Sequence, residues 1–332
     1  MEKITKDVMN AAQLAAALEV SATPKPGNIH RNADYPLTKF EHFLSGAVAL
    51  GPAIGEVASQ GIKVISDELK YSEIRIGKYV KQAVQDVNSW HNGGNTHLGS
   101  IMLFVPLAAA AAILKTREVK VEVDSLRKEV VKVMEATTNE DALEFYMAIS
   151  SLNLGWLGRI RSKDIPDIGS NKSSNQIEKS GTTFFEIMKF SSEWDRIACE
   201  LTNGLSASFT IGYPSFIETY TETEDVNTAT VNAFLKILSE IPDTFIARKI
   251  GLDITKDIAE AVKLGMPISQ TISEKSKKIL DEYNGMLSTR GRKEIKEMDE
   301  ELRRSAGNLN PGTTADITAA SLMIALLTGF RV

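Results

Sequence analysis

A single cysteine, Cys199, stands among 332 residues; this excludes an internal disulfide framework and any cysteine-built zinc cage, and it fits a reducing, cytoplasmic setting. Histidine is nearly as scarce. The four histidines, at 30, 42, 91 and 97, all lie in the first hundred residues, and none forms the i, i+4 pair of a zinc-binding helix. No G-x-x-x-x-G-K-[ST], no G-x-G-x-x-G and no G-x-S-x-G occurs, so nucleotide or hydrolytic chemistry here needs another scaffold. An excess of positive charge is also lacking. Lys and Arg number 38 against 43 Asp and Glu, a net charge of -5, so no global field draws in nucleic acid. The longest uncharged apolar run, Ile101 to Leu114, contains Pro106 and falls short of the roughly 20 residues that cross a bilayer. It reads as a buried core helix, with no membrane partner. The first twenty residues carry Lys3, Lys6, Asp7 and Glu19 around a modest apolar face, the pattern of an amphipathic helix and not of a leader.

What is present is helical spacing. Hydrophobic residues make up 43% and charged residues 24%, ordinary values for a folded globular chain. Ile4, Val8, Ala11, Ala15 and Leu18 recur at three and four, which predicts a helix ending near Thr23, before Pro24. Similar spacing marks "LTKFEHFLSGAVALGPAIGEVAS", "YSEIRIGKYVKQAVQDVNSW", 101–115, 124–136, 139–155, 224–240, 254–264, 273–287 and 290–305. No alternating strand series stands out. The expectation is all-α, a single multi-helix globular domain over 1–332, with a lid or insertion at about 165–215, where "SASFTIGYPSF" reads as a short extended piece. The run "RGRKEIKEMDEELRR" reads as a solvated helix face carrying Glu–Lys and Glu–Arg pairs. In "NLNPGTTADITAASLMIALLTGF", Thr313 or Thr314 is the expected N-cap, with Asp316 in the first turn.

Three polar, glycine-bearing breaks interrupt the helices: "TPKPGNIHR" (Thr23 to Arg31), "GGNTHLGS" (Gly93 to Ser100) and "NPGTTAD" (Asn310 to Asp316). Glycine admits a ligand close to the backbone, and free N–H groups at helix N-termini bind anions, so a phosphate-bearing ligand is the natural candidate. Each break alone is better explained as an ordinary turn or cap, and only the three together point to a ligand. Lys25 and Arg31, flanking Gly27 and Asn28, are candidate phosphate clamps or solvated loop charges. His30 lies in the same loop. In the second break Asn95, Thr96, His97 and Gly99 are candidates, His97 as a donor to phosphate or as a cap, while His42 on the "FEHF" helix reads as structural. Asn310, Gly312, Thr313 and Thr314 complete the binding set. Asp316 is a candidate ligand of phosphate-bound Mg²⁺, or simply a helix-start acid. Asp243 and Arg248 in "IPDTFIARKIG" could reach a polar site or pair with each other on the surface, and residue types alone favour the surface pair.

Taken in order, the breaks resemble the motif set of the triphosphoribosyl-dephospho-CoA synthase family: T-P-K-P-G early, N-T-H-x-G in the middle and P-G-x-x-A-D late. The resemblance spans Thr23 to Asp316. It implies an all-helical enzyme that joins an acceptor hydroxyl, the 2'-hydroxyl of dephospho-CoA, to C1' of the ATP ribose and releases adenine. It also implies binding of ATP with Mg²⁺, and it makes Asp243, His97 and Asp316 candidates for the chemistry. The chain departs from the citrate-lyase-associated pattern, which has an acidic residue at His30, a G-A-H-x-D-M stretch soon after and a lysine at Leu98. Those departures bear on the acceptor more than on the nucleotide donor. A nucleotide N-glycosidase or phosphohydrolase, or a non-catalytic nucleotide-binding protein on the same scaffold, is the alternative. The oligomeric state is open, a homo-oligomer included.

Overall fold

The computed structural model describes residues 1–117, 120–152, 158–160, 166–167, 173–305 and 307–332. In chain order its helices are α1 (Glu2–Ser21), α2 (Phe40–Ala49), α3 (Gly51–Ile65), α4 (Ile76–Ser89), α5 (Leu98–Arg117), α6 (Val123–Glu135), α7 (Asn139–Ser151) and α8 (Ser173–Ser180). They continue as α9 (Phe184–Ser191), α10 (Arg196–Asn203), α11 (Tyr213–Thr223), α12 (Val226–Glu240), α13 (Thr244–Leu252), α14 (Ile258–Tyr283), α15 (Thr289–Arg303) and α16 (Gly312–Leu327). No strand forms among the described residues, only isolated bridges at His30–Ala33 and Arg159–Asp257. The all-α expectation holds.

Two of these helices, α5 and α16, are apolar on every face, and such helices need others wrapped around them. Ser100 to Leu114 of α5 are all buried, and α16 buries nearly its whole length. They pack on each other, α3 and α6 cover α5, and α1 lies against α3 and α16. The long α5 meets the length and hydropathy of a membrane span, yet 89% of its apolar window is buried inside the protein. It is a core helix, as its sequence suggests. A second apolar cluster joins α12, α14 and α15 through Phe234, Ile272, Ile295 and Met298.

Three expectations are corrected. The pieces 254–264 and 273–287 are one helix, α14, which runs through Pro267. Proline removes one N–H and crowds the preceding turn, but α14 is held along its length by α12 and α13. The stretch "SASFTIGYPSF" is helical: a π turn at Ser208–Gly212 leads directly into α11. Its β-branched and aromatic residues favour extension locally, but Phe209 and Phe216 find their burial on a helix face. α16 starts two or three residues earlier than its threonines imply, with Pro311 as N-cap, Thr313 and Thr314 inside the first turn and Asp316 beyond it. In the proposed lid region, 161–165 and 168–172 lie outside the described residues, and 173–215 forms α8 to α10 and the start of α11.

The contact of α13 with α14 depends on paired glycines. A Cβ on Gly251 would lie 1.8 Å from the Ala261 carbonyl oxygen, and one on Gly265 would lie 2.0 Å from that of Ala247. Both obstacles are backbone, so neither can rotate away. Gly251→Ala is therefore expected to cost about 3 kcal/mol, the upper range for overpacking, measured by urea denaturation; a loss within experimental error would show that the two helices can separate freely.

Candidate active site

The first loop is built on buried charge. Glu19 sits on the apolar face of α1 with Val8, Ala12, Ala15 and Ala16, and it is only 5% exposed. Its carboxylate forms an ion pair with the fully buried Lys25. Burial pushes the Glu19 pKa up and the Lys25 pKa down, and their mutual attraction opposes both shifts. A buried pair of this kind adds little net stability, but removing one partner strands the other at about 3–5 kcal/mol. Lys25 Nζ also donates to Asn28 Oδ1 at 3.4 Å, and Asn28 Nδ2 donates to Asn310 Oδ1 at 2.9 Å. The first and third breaks are thus directly joined.

Asp299 on α15 holds the outer side of the same loop. It accepts from the Gly27 N–H at 2.9 Å, from His30 Nε2 at 3.2 Å and from Arg303 Nε at 2.9 Å. Gly27 has φ +69°, and a Cβ there would meet the Leu309 carbonyl at 2.8 Å, so both backbone and space require glycine. Arg31 bonds to Asn227 Oδ1 at 3.2 Å. Lys25, Gly27, His30 and Arg31 therefore build the loop and stand outside the cavity wall described next. Asp299 and Arg303 correct the reading of "RGRKEIKEMDEELRR": i, i+4 pairs such as Arg290–Glu294 lie on its exposed side, while this one faces inward.

Asp243 belongs to neither of its expected settings. It is 1% exposed and is the N-cap of α13, its Oδ1 accepting from the N–H groups of Phe245 at 2.9 Å and Ile246 at 3.1 Å. Its Oδ2 accepts from the Thr314 N–H at 2.7 Å and the Thr314 hydroxyl at 2.8 Å. One carboxylate therefore caps two helices, and the surface pair with Arg248 does not form. Arg248, also buried, instead donates to Asp195 Oδ2 at 2.8 Å, and Asp195 Oδ1 caps α10 through the Ala198 N–H at 3.0 Å.

The three breaks open on one cavity of about 590 Å³, a volume typical of small-molecule sites. Of the residues singled out from the sequence, Asn28, Asn95, Thr96, His97, Gly99, Arg248, Asn310, Gly312, Thr313 and Asp316 line it, and Asp243 and Thr314 stand behind it. Residues without an earlier role complete the wall. Glu19 and Ser100 lie at its polar side, Phe145, Ile149, Met188 and Trp194 form an apolar side, Asp195 pairs with Arg248, and Asp167 is a further acid of the lining. Glu19 was detectable as a charge on a helix's apolar stripe, whereas Asp195 and Trp194 carried no local signal.

Asp316 is a strongly perturbed acid in the wall. Its Oδ1 accepts from Ser100 Oγ at 2.6 Å, and its Oδ2 leaves room only for hydrogen at residue 99, where a Cβ would lie 2.0 Å away. Burial, reinforced by the charges of Glu19 and Asp243 and opposed by the Ser100 hydrogen bond, pushes its pKa up to about 8. His97 is held neutral, its pKa pushed down to about 3 by burial and the nearby His91. On the far side of the third loop Lys249 donates to the carbonyl of Gly307 at 2.5 Å, and its pKa is lowered to about 8, chiefly by burial.

The features define an all-α protein in which three polar loops and the starts of α5 and α16 enclose one acid-rich cavity of nucleotide size. A family model of ATP:dephospho-CoA triphosphoribosyl transferases, the CitG family, matches residues 5–331. A crystal structure from Archaeoglobus fulgidus, provisionally described as a triphosphoribosyl-dephospho-CoA synthase, superimposes with a TM-score of 0.62 at 26% identity. That likeness covers 88% of this chain and 100% of the other. No curated protein matches. The chain belongs to the CitG family of ATP:dephospho-CoA triphosphoribosyl transferases, and it is by that membership a transferase.

Asp316 gives a pH prediction. Its folded pKa of about 8 lies above the ordinary 3.8, so between those values the folded protein keeps a proton that the unfolded chain releases. The stability tied to that proton is complete at low pH and is lost as pH rises through 8. Relative to Asp316→Asn, the wild type should lose stability from pH 5 to pH 8 at up to about 1.4 kcal/mol per unit, read by urea denaturation; parallel pH profiles would place the Asp316 pKa near its ordinary value.

Proposed function

We propose that this protein transfers the 5-triphosphoribosyl group of ATP to a hydroxyl acceptor, with dephospho-CoA as the acceptor named by the family description. The convergence of all three family-type loops on one cavity carries this reading. In the reaction the C1'–N9 bond of ATP breaks and C1' bonds to the acceptor oxygen. The hydroxyl proton passes to a base, and adenine leaves with a proton from an acid. Such a transfer requires the site to stabilise an oxocarbenium-like ribose, to hold the phosphates and to move protons.

Glu19 suits the basic role. It is a carboxylate in the cavity wall with a raised pKa, held by Lys25, and raised carboxylates are better bases near neutral pH. Its negative charge also favours the cationic ribose. Asp243, with its oxygens spent on two helix caps, orients the loop of Asp316 and does not meet the substrate.

The phosphates meet little positive charge. Among the described lining residues Glu19, Asp167, Asp195 and Asp316 are acidic, while Arg248 is the basic one and pairs with Asp195. A divalent cation resolves this imbalance. The described residues hold no group of three or more His, Cys, Asp or Glu placed as a metal cage, but Mg²⁺ usually takes one or two carboxylates and completes its shell with phosphate and water. Asp316 is a hard oxygen donor in the wall and fits that need, while Glu19 stays with Lys25. Bound with ATP, Mg²⁺ would neutralise phosphate charge; use of ATP with Mg²⁺ and a cytoplasmic location form part of this proposal.

Hydrolysis remains the second reading because Leu98, in the wall, offers no cation to an acceptor phosphate. Incubation with ATP, Mg²⁺ and dephospho-CoA should release adenine in step with a CoA species heavier by one triphosphoribosyl group, followed by chromatography and mass spectrometry. Adenine with free triphosphoribose would establish hydrolysis, and no adenine at all would contradict both. Asp316→Asn should raise the Mg²⁺ concentration for half-maximal activity by about tenfold or more, equivalent to about 1.4 kcal/mol; an unchanged requirement would remove Asp316 from the metal.

A further inference from the structure

The second break contains a chain of hydrogen bonds whose direction can be assigned end to end. The Gly93 N–H donates to His91 Nδ1 at 3.1 Å. A ring nitrogen that accepts carries no proton, so the neutral His91 carries its proton on Nε2. That nitrogen lies 3.1 Å from Thr96 Oγ1 and donates to it. Thr96 Oγ1 in turn lies 2.7 Å from His97 Nδ1. The threonine hydroxyl proton has no other acceptor among the described residues, so it goes to His97 Nδ1. The proton of His97 is then on Nε2.

His97 Nε2 is buried and has no hydrogen-bond partner among the described residues. The ring is 3% exposed, lines the cavity and precedes the first residue of α5. It is fixed on two sides, with the Phe43 ring at 5.2 Å and Gly46 so close that a Cβ there would lie 2.5 Å from Nδ1. A buried N–H without a partner is costly unless a ligand supplies the acceptor. The donor stands beside the N-terminus of a twenty-residue helix and a glycine-bearing loop, a setting that favours an anionic oxygen.

We propose that His91 and Thr96 are positioning residues that lock His97 as an Nε2–H donor for a phosphate oxygen of the bound nucleotide. The assignment of ligand rests on the nucleotide reading above, whereas the locked tautomer does not. It takes His97 out of proton transfer: the ring gives a hydrogen bond and keeps its proton. The relay also explains why a threonine stands between two histidine rings, since its hydroxyl both accepts and donates.

Long-range ¹H–¹⁵N correlation spectra test the lock in the ligand-free, full-length protein. His97 and His91 should both show a protonated Nε2 and an unprotonated Nδ1 from pH 6 to pH 8. A protonated Nδ1 on His97, or an imidazolium in that range, would overturn the proposal whether or not the protein transfers anything. Thr96→Ser keeps the relay and should keep the His97 pattern, while Thr96→Val should mix the two tautomers and raise the KM for ATP about tenfold with a smaller effect on kcat. An unchanged tautomer in a folded Thr96→Val protein would equally overturn the relay. Inorganic tripolyphosphate and adenosine then separate the ligand parts: the His97 Nε2 signal should move with tripolyphosphate, and movement with adenosine alone, or with neither, would refute the phosphate assignment.

Discussion

The Asp243 carboxylate is the fixed point of the site. By capping α13 with one oxygen and the first turn of α16 with the other, it sets the position of a helix start that has no side-chain cap of its own. Unpaired N–H groups at a buried helix start are costly, so the two helices are held together at their N-terminal ends. The other loops assemble on that same start. Asn28 brings the first loop to Asn310, and Ser100 with Gly99 brings the second to Asp316. The convergence of distant sequence motifs thus follows from a few short polar contacts around one helix N-terminus.

Charge in this protein is used chiefly to build loops and only secondarily to meet a ligand. Lys25 is spent on Glu19, Arg303 on Asp299 and the Asn28 carbonyl, and Arg248 on Asp195. The described cavity wall is left with more carboxylate than cation. That distribution suits a reaction in which positive charge develops on a ribose and in which the phosphates arrive with their own metal ion. In the proposal above, the neutral His97 imidazole supplies a donor to anionic oxygen without adding charge that must be buried.

The loops were legible because glycine, proline and small polar residues at helix boundaries have strong local preferences. Nine of the residues picked out in those loops line one cavity. The roles of others were not legible, because they depend on partners far along the chain. Lys25 looks like a solvated loop cation until Glu19 is seen to be buried beneath it, and Asp243 looks like a surface acid until Thr314 is placed 71 residues away against it. Asp299 was hidden within a run of exposed i, i+4 pairs. The all-helical architecture followed from periodicity, but the continuity of α14 through Pro267 and the helical state of 208–216 were decided by packing against neighbouring helices.

A structure of the protein with ATP and Mg²⁺ tests the central claim, that the three loops form one nucleotide site, most directly. The triphosphate should lie in the cavity between the Gly93 to Ser100 loop and the start of α16, with the metal on Asp316. A nucleotide bound elsewhere, or loops left untouched by it, would contradict the claim.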